Sequence, residues 1–354
     1  MNARQRILAA IRGEPVDRTP WCPFLAYWWE NQPRTLTDQG MLAFMRSIGA
    51  DPMLRGMAAA WKMEQDGVGV RDRTSGGRRE VAFETPVGVL RETYTYSPGG
   101  DTWFLTGHAV RGREDAKVLA WIYEHRRAVS DERELDRQLA EVGDKGLLVP
   151  ILGAECKTSF QSLVERWIGT EQLCYLLADE PEVIENLLGA MRPVSRQTVA
   201  LSAQSSGEAF IFWEDSSTTN ISPSMFEQYT APEIADWGEQ LHRAGKLLIH
   251  HACGHLKALL PAIGRLPIDA LESVSPPPTG NATISQARAA LPGHIALIGG
   301  IEPVFFETCT MARLQAEVEA LLASQAGRRY VLANSDSCPP GVSLDKLRAV
   351  AQWV

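Results

Sequence analysis

Apolar runs of strand length alternate with amphipathic segments of helix length over the second half of the chain. The apolar runs cover residues 147–154, 209–215, 246–252, 268–274, 295–301 and 330–335. Apolar positions at helical spacing fill the intervals, in segments that include 181–204, 224–245, 256–266 and 311–327. Strands that alternate with helices predict parallel pairing through helical crossovers. The number of units favours a closed (β/α)8 TIM barrel over an open sheet.

The first half of the chain has a different texture. Residues 3–13 have apolar positions at helical spacing, and residues 21–25 form a short apolar run. From 68 to 111 short alternating runs are broken by Ser-Gly-Gly and Pro-Gly-Gly, a pattern typical of antiparallel hairpins. Residues 113–145 are charged and periodic, which predicts one or two surface helices. We therefore expect a single barrel domain over 1–354, with an N-terminal β-hairpin insertion at 68–111.

Composition narrows the class of protein. With 354 residues, 45% hydrophobic residues and a formal charge of -8, the chain is expected to be globular, with neither nucleic acid nor a membrane as its partner. The N-terminal apolar run is too short for a signal peptide, and no later segment has the length of a transmembrane span. Six cysteines without repeated spacing indicate free thiols or metal ligands in a reducing cytoplasm.

Reactive side chains collect where the apolar runs end. They are Glu155, Cys156, Glu214, Asp215, His250, His251, Cys253, Glu272, Glu302, Asp336 and Cys338. In a TIM barrel the chemistry lies at the carboxyl ends of the strands and in the loops that follow them. A role in the core explains any one of these residues, but it does not easily explain the whole set.

A zinc site is the main hypothesis for this set. His251 and Cys253 leave the same run two residues apart and can point to the same side, and Cys338 follows the last run. Imidazole and thiolate are zinc ligands, and catalytic zinc sites commonly use three protein ligands and keep one position open. Glu272 is the candidate fourth ligand. The alternative is that both cysteines are small buried residues and that His251 is a hydrogen-bonded core residue.

Substrate-binding candidates lie in two loops. Tyr27, Trp28 and Trp29 follow the 21–25 run, where they could line a pocket for a flat ligand. The alternative is that these aromatic residues pack beneath a loop. Glu155 is the substrate-binding candidate after the 147–154 run.

Catalytic candidates follow the 209–215 run. Asp215 and Glu214 could orient the substrate or hold a ligand imidazole in its metal-binding tautomer. The alternative is helix capping, because several residues suited to capping precede a helix predicted to start near Ser222.

Longer stretches of the chain resemble a known family. The opening ARQRILAAIRGEPVDRTPWCPF and the segment WEDSSTTNISPSMFEQYTAPEIADWGEQLHRAGKLLIHHACGHLKALLP are similar to the uroporphyrinogen decarboxylase superfamily. HACG, followed by a late cysteine before PPG, resembles its corrinoid-dependent methyltransferase branch, and EDSSTT and ESVSPPPTGN are similar to the O-demethylase type. The resemblance implies a (β/α)8 barrel with zinc on residues that match His251, Cys253 and Cys338, together with Glu272.

The activity that the resemblance implies is zinc-dependent methyl transfer between a small substrate, such as a methoxylated aromatic, and a corrinoid (cobalamin). The sequence contains no D-x-H-x-x-G corrinoid signature, so the corrinoid is expected on a separate protein. A methylcobalamin:thiol methyltransferase, a metal-free decarboxylase or lyase, and a zinc-containing binding protein are the alternatives. The first loop has no arginine before Arg34, which disfavours a polycarboxylate tetrapyrrole. The oligomeric state is left open, with a homodimer among the alternatives.

Overall fold

The structure, a computed structural model, describes residues 1–98 and 101–354. Its strands are β1 (Met53–Arg55), β2 (Trp61–Gln65), β3 (Gly69–Ser75), β4 (Arg78–Thr85), β5 (Gly88–Ser97), β6 (Thr102–Gly107), β7 (Arg126–Ser130), β8 (Leu147–Val149), β9 (Ala209–Glu214), β10 (Leu247–Ala252), β11 (Ala270–Val274), β12 (Ala296–Ile301) and β13 (Tyr330–Asn334). The α-helices are α1 (Ala3–Arg12), α2 (Ala26–Glu30), α3 (Arg34–Thr37), α4 (Met41–Ser47), α5 (Arg113–Glu124), α6 (Glu132–Val142), α7 (Ser159–Ser162), α8 (Thr170–Asp179), α9 (Pro181–Gln204), α10 (Pro223–Met225), α11 (Ala231–Arg243), α12 (Leu260–Ile263), α13 (Ile284–Ala290), α14 (Pro303–Thr308), α15 (Met311–Ser324) and α16 (Leu344–Trp353). The described residues form two compact units, one made of 1–60, 131–151 and 202–354 and the other of 61–130 and 152–201.

The first unit contains a parallel barrel. β9 to β13 pair in chain order as one parallel sheet, and β1 pairs with β8 in parallel. Two single bridges join these pieces, Ile151 to Ile211 of β9 and Trp21 to Leu332 of β13. The ring is completed next to β1, where the Asp51 N–H donates to the Trp21 carbonyl over 2.7 Å. Counting the extended segment at Trp21, these described residues supply eight parallel strand positions, which confirms the predicted (β/α)8 TIM barrel.

Apolar burial and helix caps explain why these segments fold as they do. The residues of β9 to β13 are almost all buried, as expected for strands that are covered on both faces. Side chains that accept from the first-turn backbone N–H mark several helix starts, among them Ser222 for α10, Thr283 for α13 and Ser343 for α16. Each of these caps follows a barrel strand and its loop, so the sequence itself limits where each loop ends.

The second unit contains the antiparallel structure. β3, β4, β5 and β6 pair in that order over residues 69–107, inside the segment predicted to form hairpins. β2 pairs with β7 antiparallel, and α5, α8 and most of α9 belong to the same unit. The unit is therefore larger than the 68–111 insertion expected within a single domain.

Three segments differ from the sequence prediction. Residues 126–130 are strand β7 within a stretch predicted as helix, because they pair with β2 some 60 residues earlier, and local periodicity does not detect such a partner. The apolar run 21–25 has the length of a short buried strand, but among its residues only Trp21 forms a β-bridge, to Leu332 of β13. In the predicted helix 256–266 only α12 is helical, with Pro261 in its first turn, where the missing N–H costs nothing. Within the described residues, no helix combines the length and apolar character needed to cross a membrane.

We expect opposite stability effects from two glycine-to-alanine changes in helices. Gly238 in α11 faces the carbonyl of Pro267 so closely that a Cβ would overlap it, so Gly238→Ala should lower the free energy of unfolding by about 1–3 kcal/mol. Gly189 in α9 has open space around it, and Gly189→Ala should raise that free energy by up to about 1 kcal/mol. Urea unfolding of both variants measures the difference. Equal effects would contradict the close approach at Gly238.

Candidate functional site

Strand register places three side chains in one row inside the barrel. His251 of β10 lies opposite Trp213 of β9 and opposite Glu272 of β11. Residues in register on neighbouring parallel strands point to the same side of the sheet, so the three side chains are adjacent. They belong to the last residues of their strands, at the end of the barrel where TIM-barrel sites are built.

A buried ion pair crosses the barrel to reach this row. The Nε of Arg55, at the end of β1, donates to Oε1 of Glu272, and the two side chains are only 1% and 2% exposed. The other guanidinium nitrogens of Arg55 donate to the carbonyls of Cys22 at 2.9 Å and Met53 at 3.1 Å. A buried charge is tolerated only when it is paired and hydrogen-bonded, and both conditions are met here.

Glu272 also fixes the state of His251. Burial would raise the pKa of the Glu272 carboxyl, but Arg55 and His251 outweigh it and lower that pKa. The resulting carboxylate accepts from Nδ1 of His251 through Oε2 at 3.0 Å. A proton on Nδ1 leaves the lone pair of a neutral imidazole on Nε2. Metal-binding histidines commonly have this arrangement, in which a carboxylate orients the ring through its other nitrogen.

Aromatic rings surround His251. Phe24 stacks on Trp213 with ring centroids 5.5 Å apart, and His251 makes edge contacts with both rings, at 5.8 and 4.9 Å. The guanidinium carbon of Arg55 lies 5.4 Å from the Phe24 centroid. The site therefore combines an apolar aromatic surface, one imidazole nitrogen and a neutralised ion pair.

The neighbouring His250 points elsewhere. It is fully buried, stacks on Phe212 at 4.8 Å, and has Nε2 3.5 Å from the Ser216 hydroxyl. Burial, with a smaller effect from His251, lowers the pKa of His250 to about 3. This placement agrees with the expectation that His250 and His251 face opposite sides of the strand.

Close packing fixes the loop after β10. The Ser217 hydroxyl accepts from the His255 N–H at 3.0 Å, and the Thr218 hydroxyl donates to the His255 carbonyl at 3.0 Å. Gly254, the residue before His255, has φ +81°. A Cβ there would come within 2.7 Å of Ser217 and 3.2 Å of Asp215. Only glycine fits this position, so the loop after β9 controls the path of the backbone next to Cys253.

Strain also marks the residue after Glu272. Ser273 has φ +81°, and the pairing of β11 with β12 shifts register there. Its hydroxyl donates to the carbonyl of Ser335, and the Ser335 hydroxyl accepts from the Gly300 N–H at 2.9 Å. A non-glycine residue in this conformation costs on the order of 1–3 kcal/mol, and such positions cluster at functional sites.

The four predicted metal ligands are not assembled around one point. Among residues 1–98 and 101–354, no group of three or more His, Cys, Asp or Glu side chains could hold a metal ion. Cys253 is partly exposed, whereas Cys338 is fully buried, and burial raises the pKa of the Cys338 thiol. β11 and β12 separate the strands that precede the two cysteines. The Cys338 N–H nevertheless donates to the carbonyl of Phe24 at 2.8 Å, which links its loop to the aromatic residues around His251.

The chemistry of the donor set fits zinc in part. His251 has the orientation that a metal ligand needs, and the two thiols are zinc ligands by type. Glu272 has one carboxylate oxygen bonded to Arg55 and the other to His251. In this arrangement it is placed to orient His251, and its role as a fourth ligand stays a prediction.

The predicted catalytic pair lies beside the same loop. Glu214, the last residue of β9, is buried and lies opposite Ala252. Asp215 follows it, and its carboxylate accepts from the Asn220 amide at 3.4 Å. Ser222 caps α10, as the helix-capping alternative expected of this segment. The catalytic role of Glu214 and Asp215 stays a prediction.

The predicted substrate-binding residues are dispersed. Trp28 is 2% exposed, stacks on Phe44 and donates to the Val342 carbonyl, which is the packing role named as the alternative. Trp29 also packs against Phe44, and Tyr27 is 42% exposed. A pocket role for Tyr27 and Trp29 stays a prediction.

Glu155 belongs to the second unit. Its carboxylate accepts from Arg126 at 2.6 Å, from Arg166 at 2.7 Å and from the Tyr123 hydroxyl at 2.9 Å. Burial would raise the pKa of Glu155, but the two arginines lower it. Both of its oxygens are therefore engaged in an ion-pair network, and a substrate-binding role stays a prediction.

Sequence reasoning missed Arg55, Phe24 and Trp213. Phe24 and Trp213 lie within apolar runs that were considered, whereas Arg55 lies in a stretch without a predicted element. A single arginine and two aromatic residues carry no motif of their own. The available signal was the position of Trp213 near the end of its apolar run. Only the strand register and the ion pair between Arg55 and Glu272 show that both residues converge on His251.

Comparison with known proteins identifies the family. The model of the family "Uroporphyrinogen decarboxylase (URO-D)" matches residues 158–354, more than half of the chain, which confirms the predicted superfamily. A methyltransferase from Methanosarcina mazei has a similar structure, with 13% identity, a TM-score of 0.64, and coverage of 100% of this chain and 98% of that one. A B12-independent methionine synthase from Shewanella sp. W3-18-1 aligns with 11% identity, a TM-score of 0.49 and 95% coverage of both chains. No curated protein matches the sequence.

The ion pair inside the barrel predicts a large loss of stability on neutralisation. Glu272→Gln leaves the Arg55 charge buried without a counter-charge and should lower the free energy of unfolding by about 3–5 kcal/mol. Glu134→Gln, which breaks an exposed pair with Arg137, is the matched control and should have little effect because solvent screens that pair. Denaturant unfolding at neutral pH compares the two variants. Similar stability of both would mean that the buried pair does not hold the barrel together.

Proposed function

Because the chain belongs to the uroporphyrinogen decarboxylase family, we propose that it is a methyltransferase acting at the carboxyl end of the barrel. It moves a methyl group between a small substrate and the cobalt of a corrinoid carried by a separate protein. The proposed donor is a methoxylated aromatic, so the reaction is an O-demethylation. The observation that carries this proposal is the oriented imidazole of His251 within an aromatic cluster.

Zinc is the proposed cofactor, held by Nε2 of His251 and the thiolates of Cys253 and Cys338. When bound, it would act as a Lewis acid on the oxygen that carries the methyl group. Glu272 keeps the proton on Nδ1 of His251, and Arg55 keeps Glu272 ionised. Since the two thiols do not converge with His251 in this structure, zinc binding requires the loops after β10 and β13 to approach each other.

The aromatic cluster supports an aromatic donor. The stacked rings of Phe24 and Trp213 next to His251 provide a flat apolar surface, and offset stacking of another ring on such a surface is favourable. Transfer in the reverse direction, to a thiol, would use the same residues but would not need this surface.

The charge balance disfavours decarboxylation of a polycarboxylate. Such a substrate needs cationic partners, and the arginine that reaches this cluster, Arg55, is already neutralised by Glu272. A polycarboxylate would have to break a buried ion pair in order to bind.

Zinc content tests the ligand set. Purified protein should contain about one zinc per chain, and Cys253→Ala and Cys338→Ala should each lose it while staying folded. Cys174→Ala, which removes an exposed thiol in the second unit, is the control and should keep it. Elemental analysis with circular dichroism measures both properties. Stoichiometric zinc in either the Cys253 or the Cys338 variant would reject that ligand.

Methyl transfer tests the donor class. With cob(I)alamin and methoxylated aromatics, methylcobalamin should form, and Trp213→Leu should lower kcat/KM about tenfold through lost ring contacts, with unchanged zinc content. Trp353→Leu in α16 is the control and should leave kcat/KM unchanged. Absence of methylcobalamin with zinc-loaded protein would contradict methyl transfer, and an unaltered kcat/KM for Trp213→Leu would contradict only the aromatic surface.

A further inference from the structure

A cavity lies in the first unit, away from the row of His251. It has a volume of about 660 Å³, within the range of small-molecule sites. Its walls come from the turn after α1, from Gly293 before β12, and from residues 325–329 before β13 with Tyr330 at the start of that strand. These segments precede their strands, so the cavity lies at the amino end of the barrel, whereas the candidate site lies at the carboxyl end.

Three arginines, Arg288, Arg328 and Arg329, line this cavity. Glu14 is the one carboxylate among the described lining residues. About two positive charges thus remain uncompensated on the walls. The whole chain has a net charge of -8, so this local excess is opposite in sign to the rest of the protein.

Arg288 is fixed in the cavity wall. Its residue surface is 9% exposed, and its Nη1 and Nη2 donate to the carbonyls of Ile295 at 2.8 Å and Arg329 at 2.9 Å, with Nε 3.5 Å from the Gln325 amide oxygen. A guanidinium has five N–H donors, so two remain after these contacts. Anchored on carbonyls, this side chain cannot turn away to relieve the repulsion from its neighbours.

The two adjacent arginines extend the cationic wall. Nη1 of Arg329 makes a single long contact, 3.4 Å, with the Ile11 carbonyl, and Arg328 is exposed. Burial lowers the pKa of Arg288, and the like charges of Arg328 and Arg329 lower it further. Three guanidinium groups that repel one another, one of them buried, are stabilised when an anion binds among them.

We propose that this cavity is a binding site for a small phosphate-bearing molecule, with Arg288, Arg328 and Arg329 as its anion ligands. A phosphate monoester carries close to two negative charges at pH 7, which matches the excess on the walls. The oxygens of a phosphate can accept paired N–H groups from several guanidinium groups at once. The single carboxylate in the cavity wall cannot satisfy three arginines. The volume leaves room for an organic group beyond the phosphate. Binding here is independent of the proposed metal and methyl donor.

Calorimetric titration of the full-length protein with inorganic phosphate, pyrophosphate and ADP, at about 150 mM salt, tests the proposal. Saturable binding of at least one of the three anions is expected. If the ligand has an organic group or a second phosphate, ADP or pyrophosphate should bind more tightly than phosphate. Arg328→Gln and Arg329→Gln should each weaken binding about tenfold. Arg328 is exposed, so its variant is expected to fold even if loss of the Arg329 contact disturbs α1.

The control is the double variant Arg313→Gln/Arg348→Gln, which removes two exposed arginines that do not line the cavity. It should bind the anions like the original protein. No saturable binding of any of the three anions, or an equal loss in the control, would overturn the proposal. Zinc content and methyl transfer should be the same in folded Arg328→Gln, so failure of the methyltransferase assignment is distinguishable from failure of this one.

Discussion

A buried ion pair between Arg55 and Glu272 joins strands on opposite sides of the barrel, and the candidate site depends on it. Arg55 belongs to β1, Glu272 belongs to β11, and in the ring of described strands three positions separate them in either direction. Two charges removed from water require each other, so the pair fixes the distance across the barrel interior. The same carboxylate sets the tautomer of His251, so the barrel frame and the reactive imidazole share one contact.

The rest of the site follows from strand register. Trp213, His251 and Glu272 are neighbours because β9, β10 and β11 pair without offset up to Glu272. A shift of one residue would turn every one of these side chains to the other face. Beyond the strands, Gly254 lets the loops after β9 and β10 touch, and the Cys338 N–H binds the Phe24 carbonyl. Residues from both ends of the chain are thereby brought to His251.

The sequence allowed prediction of most of the barrel, because buried parallel strands and amphipathic helices have local periodicity. β9, β10, β12 and β13 lie within one residue of the predicted apolar runs. The antiparallel pair β2 and β7 was not predictable from periodicity, since each strand is defined by a distant partner. For the candidate site, the sequence singled out His251 and Glu272 as zinc ligands, an assignment that stays a prediction. Sequence does not show that Arg55 occupies one oxygen of Glu272 and His251 the other, because that depends on strands far apart along the chain.

The separation between Arg55 and Glu272 along the chain, 217 residues, has a consequence for biosynthesis. A ribosome adds about 5–20 residues per second, so Arg55 leaves the exit tunnel on the order of ten seconds or more before its counter-charge exists. β1 likewise waits for β8, and Trp21 waits for Leu332 of β13. Until then Arg55 stays in water, and the barrel interior closes only after β13 has been made. Closure of the barrel thus coincides with the assembly of the candidate site around His251.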